Sequence, residues 1–218
     1  LSHISTTLTT SIFLAIILAL SGLVYGGNRL YEYSQIAYLK PYQEKYPDVQ
    51  FPQGILEEMC DEYGQNSTIV GRLEIEDTET DCFSTYQRTE GYVFGQHSRG
   101  VTESQQFLAV DINGHGDIEA VYSSPDGYLN STQTITYTTL FEKNTYKVIA
   151  AYYTNLNPED DRDYAFPYSV YGNLTEKSFK EYEDKIKSRR LYDTGYTLSY
   201  TDRFITVSAD SDFMNDLK

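Results

Sequence analysis

Asp210 closes the run DRFITVSAD, residues 202–210, in which Ile205 and Val207 alternate with Thr206 and Ser208 as a half-buried strand requires. A strand of this kind can deliver a nucleophile at its end, and the groups on offer are the Asp210 carboxylate and the Ser208 hydroxyl. A carboxylate is a weak nucleophile toward a peptide carbonyl, and its adduct would be an anhydride. A serine needs a general base, which an aspartate supplies poorly at neutral pH unless its pKa is raised. Ser123 and Ser124, in the stretch AVYSSPDG, are the other hydroxyls singled out. Together with Asp210 and Ser208 they suit a solvated polar cluster better than a hydrolase.

The thiols are Cys60 and Cys82, and neither stands in a C-x-x-C or Cys/His spacing, so a structural zinc site is not expected. They either pair in an oxidising compartment or remain two separate thiols. Cys60 falls in a helix and Cys82 in an early strand, neither placed to serve a site at Asp210. His3, His97 and His115 read as surface histidines in an N-terminal stretch, a loop and a hairpin turn. The run DINGHGDIEAVY, Asp111 to Tyr122, imitates the start of a calcium loop, but His115 and Tyr122 stand where oxygen ligands belong. Asn113-Gly114 instead predicts a hairpin turn joining a strand over 106–111 to a strand over 118–122. No cofactor and no metal are expected.

The elements that must position these groups follow from composition and periodicity. The chain has 218 residues, 22 Tyr and 10 Phe, no Trp, and short β-branched or aromatic runs between Gly, Asn, Asp and Pro, which favours a mainly β fold of one domain. Its net charge of −15 excludes nucleic acid as a partner and opposes anionic lipid headgroups. Leu8 to Tyr25 is free of charge and long enough for a short membrane-spanning helix, read here as an uncleaved signal anchor, with a cleaved signal peptide as the other reading.

Residues 28–46 carry helical spacing that Pro41 should interrupt, and a second short helix over Ile55 to Tyr63 should stop at Gly64. NSTIVGRLEIEDTETDCF, residues 66–83, predicts a first strand pair. Gln133 to Leu140 and Thr145 to Tyr153 predict another, and Glu176 to Leu191 a helix capped by Thr175. The acidic loop PEDDRD, Pro158 to Asp163, reads as solvated, while tyrosines at 152–153, 164–171 and 192–200 offer contact surface. Asn66, Asn130 and Asn173 head glycosylation sequons that matter only in a eukaryotic secretory pathway.

Several of these segments together resemble class B sortases. DRFITVSAD is similar to the family's D-x-(I/L)-T-L-S-T-C strand, with Asp210 at the cysteine position. Ile69-Val70-Gly71, Leu73 and Ile75 match its first strand pair, with Arg72 replacing a Trp. FLAVD, AVYSSPDG and YKVIAAYY follow in the family's order, with Ser123 and Ser124 at the Gly-His positions. The resemblance covers about residues 30–212. It implies a sortase-like β-barrel with peripheral helices over 66–218, a helical region over 28–65, and an N-terminal transmembrane segment over 1–27.

The family's Cys, His and Arg are all missing from the matched positions, since SDFMNDLK also supplies no Arg. The implied function is a membrane-anchored, extracellular sortase-like pseudoenzyme of a Gram-positive envelope that binds a peptide or protein partner. The alternative is an active cysteine transpeptidase attaching surface or pilus proteins to the cell wall, with Cys60 or Cys82 as nucleophile.

Overall fold

The computed structural model describes residues 36–85, 87–89, 92–94, 107–112, 117–154 and 175–211. The chain divides into two compact units, residues 1–67 and 68–218.

Among its described residues the first unit holds the helices α1 (Lys40–Lys45) and α2 (Glu57–Gln65), and residues 36–37 are helical as well. The helical stretch at 36–37 breaks at the turn 38–39, as expected near Pro41, which itself lies in the first turn of α1, where its fixed φ fits and its missing N–H goes unused. Gly64 likewise lies inside α2, which ends only at Asn66. The Tyr46 ring lies where a Cβ at residue 64 would sit, so the glycine permits ring-to-backbone packing and does not mark a stop. Leu39, Ile55, Met59 and Cys60 are buried in this unit, and Lys45 pairs with Asp61 at 2.6 Å.

The second unit is built on an antiparallel sheet of four strands in the order β2-β1-β6-β7: β1 (Ile69–Glu74), β2 (Asp81–Thr85), β6 (Thr134–Thr139) and β7 (Lys143–Lys147). Both strand pairs expected from the sequence form, but β7 stops at Lys147, well short of Tyr153. Leu73, paired with Cys82 on one side and Tyr137 on the other, is fully buried and centres a core that includes Ile75, Val110, Tyr122, Tyr128 and Val148. Residue 71 has no room for a side chain, since a Cβ there would meet the Tyr137 hydroxyl and the Thr138 carbonyl. Ser84 meets the same Tyr137 hydroxyl at 2.7 Å.

Two further pairs complete the described strands: β3 (Gln87–Thr89) with β4 (Tyr92–Phe94), antiparallel, and β5 (Phe107–Ile112) with β8 (Phe204–Ala209), parallel. The sheet is therefore not closed into a barrel: among the described residues it falls into three separate sheets, with no ladder joining β7 to β8. The strand expected over 118–122 is a helix, α3 (Ile118–Tyr122), followed by α4 (Pro125–Asn130). The hairpin expectation fails with it. β5 takes its partner from the far end of the chain, and IEAVY is too short for its period to separate strand from helix.

The long helix α5 (Glu176–Arg189) forms as expected. Thr175 and Ser178 make a reciprocal capping box, and Phe179, Tyr182 and Ile186 fall on one buried face. Phe179 and Tyr182 reach the Phe204 ring at 6.0 and 5.9 Å, which fixes the start of β8. Among the described residues no helix is long and apolar enough to cross a membrane, and Leu8 to Tyr25 lies outside them.

Candidate functional site

The parallel ladder ends on the pair Ile112 and Ala209, and Asp210 is the next residue of β8's chain. Asp210 is exposed and, with Ser208 and Ser123, lines a cavity of about 990 Å³ in the second unit. That volume is at the upper end of the ~300–1,000 Å³ common for ligand sites. Its walls mix aliphatic and aromatic side chains with a few polar groups, among them Glu119, Lys147, Tyr153 and Arg203.

Ser124 does not belong to this wall. It caps α4, its hydroxyl accepting the Gly127 N–H at 3.1 Å, which is a structural task. Ser123 follows α3 and so stands at a helix end, not at the end of a strand beside β8. Its assignment to the family's histidine position rested on a strand over 118–122, and that support is gone. The strand that ends beside β8 is β5. The residues that follow β5, including His115, lie outside the described residues, as do His3, His97, Asn173, the PEDDRD loop and the tyrosines at 164–171.

Both cysteines are free thiols. Cys60 is fully buried in α2, donates to the Leu56 carbonyl at 3.4 Å, and has its pKa pushed up to about 11 by burial, with Glu57 and Asp61 adding to the effect. Cys82 packs against the sheet core, and burial also raises its pKa, ahead of the neighbouring Asp81. Both shifts keep sulfur protonated and unreactive at neutral pH.

Polar groups that the sequence reading had not assigned to the site define its chemistry. Tyr153 donates to Glu119 at 2.7 Å, and burial with this carboxylate pushes its phenol up to about 12. Arg203 is held by Glu142 at 2.6 Å, and Lys147 stands 5.0 Å over the Tyr196 ring. Tyr153 belonged to a tyrosine pair noted in the sequence, but Glu119 carried no signal, because its place depends on α3 being helical. Among the described residues lining the cavity there is neither a thiol nor an imidazole. The described lining can hold a ligand by apolar contact, hydrogen bonds and charge.

Solved structures with the same fold are class B sortases. Sortase B from B. anthracis superposes with a TM-score of 0.55 at 16% identity, over 86% of this chain and 91% of that one. The Staphylococcus aureus sortase B–substrate complex gives 0.54 at 12% identity, over 86% and 90%. A Streptococcus pyogenes class B sortase involved in pilus biogenesis gives 0.52 at 14%, over 71% and 90%. No protein-family model and no curated protein matches the sequence. The chain therefore has a sortase B-like, mainly β fold with helices, and at these identities the likeness extends to the fold alone.

Proposed function

We propose that this chain is a sortase-fold pseudoenzyme of the cell envelope, anchored through Leu8 to Tyr25, that binds a peptide or protein partner in the β8 cavity without cleaving it. The observation that carries the reading is Asp210, which stands on the cavity wall at the position the sortase B resemblance gives to the nucleophilic cysteine. The two native thiols support it, since burial holds both protonated. A carboxylate there cannot form the thioester on which cysteine transpeptidation depends.

The test is mass spectrometry of the full chain incubated with sorting-signal peptides and an amine acceptor, run beside a binding titration of the same peptides. The expected result is intact peptide and unmodified protein. A cleaved peptide or an acyl adduct would overturn the reading, and the modified residue would identify the nucleophile.

A further inference from the structure

Between α5 and β8 a strap of residues 191–203, neither helix nor strand, supplies part of the cavity wall through Leu191, Tyr196, Thr197, Leu198 and Asp202. It lies antiparallel to β7 and its continuation. The Leu191 N–H donates to the Ala151 carbonyl at 2.9 Å and the Thr194 hydroxyl to the Ile149 carbonyl at 2.7 Å, then Tyr196 meets Lys147 at 5.0 Å and Arg203 holds Glu142 at 2.6 Å. The two halves are attached differently. Leu191 to Thr194 are fixed by those backbone acceptors, and Tyr192 adds a hydrogen bond to the Tyr122 carbonyl at 2.8 Å and a ring contact with Tyr128 at 5.3 Å. Beyond Thr194 side chains hold the strap, Tyr196 at Lys147 and Tyr200 edge-on to Phe179 at 5.8 Å.

Gly195 stands where the attachment changes. Its φ of 76° lies in the left-handed region, yet a Cβ there would meet nothing within 4 Å, so the glycine serves the direction of the backbone and not a lack of space. The tip that follows closes on itself. The Asp202 N–H donates to the Ser199 carbonyl at 3.0 Å, and the Asp202 carboxylate accepts the Ser199 N–H at 2.8 Å. Residues 195–203 are exposed except Leu198, which is half-buried and is the tip's aliphatic side chain on the cavity wall.

We propose that residues 195–202 form a flap over the cavity, hinged at Gly195 and at the Arg203–Glu142 pair, with Leu198 as a plug that an entering ligand displaces. A self-contained turn with a left-handed glycine at one end and an exposed ion pair at the other can swing by changing few backbone angles. The closed form is favoured only weakly by that pair, since exposed ion pairs contribute a factor of about five at most. For its ligand this inference rests on the reading of the cavity as a peptide-binding site: an apolar side chain of the peptide takes the space that Leu198 leaves.

The experiment uses the full chain carrying Ala150→Cys, a half-buried position on the cavity wall, alkylated at neutral pH with a bulky maleimide. Labelling is read by peptide mapping, with the free thiol of Cys82 as the reference for unfolding of the same unit. The rate at position 150 then reports how often the cavity stands open. Gly195→Ala should raise that rate on the order of tenfold, because alanine resists the positive φ of the closed form, whereas Gly195→Asn, which tolerates it, should stay within about twofold of the parent. Leu198→Ala should raise it about fivefold through the loss of half-buried apolar area. Labelling of Cys82 should be unchanged in all three.

Equal rates at position 150 in the parent and both Gly195 variants would overturn the hinge. A rise at Cys82 in step with position 150 would mean that the whole unit unfolds, and would overturn the flap. Unchanged labelling in Leu198→Ala would overturn the plug. None of these readings needs a ligand, so they stand apart from the peptide-binding reading. A sorting-signal peptide titrated against the parent and Leu198→Ala should bind the variant about fivefold more tightly, because more of the protein is then open to it. Equal binding to the two would overturn the plug, and binding to neither, with the labelling as expected, would uphold the flap and overturn the peptide-binding reading.

Discussion

Ile112 and Ala209 face each other as the last pair of the parallel β5–β8 ladder, so that two chain segments 97 residues apart in sequence leave the sheet side by side. Asp210 is the first residue beyond that pair. Its position is set by strand register, which makes it a site for substitution that leaves the ladder intact.

Asp210→Cys should place a reactive thiol on the cavity wall without restoring transpeptidation. The new cysteine is exposed, whereas Cys60 is fully buried and Cys82 half-buried. Alkylation followed by peptide mapping should label residue 210 on the order of tenfold faster than either native cysteine at neutral pH. Cleavage of a sorting-signal peptide by this single variant would show that the remaining machinery is present after all.

Alkaline pH should destabilise the fold. Burial pushes Cys60 up to about 11 and Tyr153 and Tyr192 up to about 12, from ordinary values of 9.0 and 10.0. A raised pKa means that the folded state holds the proton more tightly than the unfolded chain. The associated stability is whole below the ordinary value and is lost as pH climbs through the raised one. Urea midpoints should therefore be flat near pH 8 and fall progressively above pH 9.

Gly71→Ala should be disruptive for so small a change. The added methyl would meet the Tyr137 hydroxyl and lie 2.9 Å from the Thr138 carbonyl oxygen, and both belong to the adjoining strand β6. Overpacking of this kind costs about 1–3 kcal/mol. Denaturant unfolding should show that loss, and Gly71→Ala combined with Tyr137→Phe should recover part of it by removing the hydroxyl.

Glu183→Gln should change how stability responds to acid. Glu183 lies on the buried side of α5 between Lys187 at 2.5 Å and Lys180 at 3.0 Å, and these ammonium groups, Lys187 foremost, lower its pKa. A depressed carboxylate contributes stability above its ordinary value of 4.5, which disappears as pH falls through the lowered one. The difference in unfolding midpoint between native protein and variant should shrink between pH 5 and pH 3.

Much of the local structure was legible in the residues themselves. The Ile69–Glu74 and Asp81–Thr85 pair announces itself through alternation, and α5 through a Thr175 cap and a Phe179, Tyr182, Ile186 stripe. The DRFITVSAD run likewise marks the strand that ends at Ala209, just before Asp210. These are signals of short range, carried by periods of 2 and 3.6 and by capping chemistry.

Tertiary structure decided the rest. IEAVY has no period long enough to choose between strand and helix, and its choice of α3 moves Ser123 to a helix end and brings Glu119 to Tyr153. The partnership of β5 with β8 depends on which edges remain available once β1, β2, β6 and β7 have paired. The reason is general: backbone donors and acceptors are alike in every residue, so a sequence can mark a strand but cannot say which other strand will pair with it.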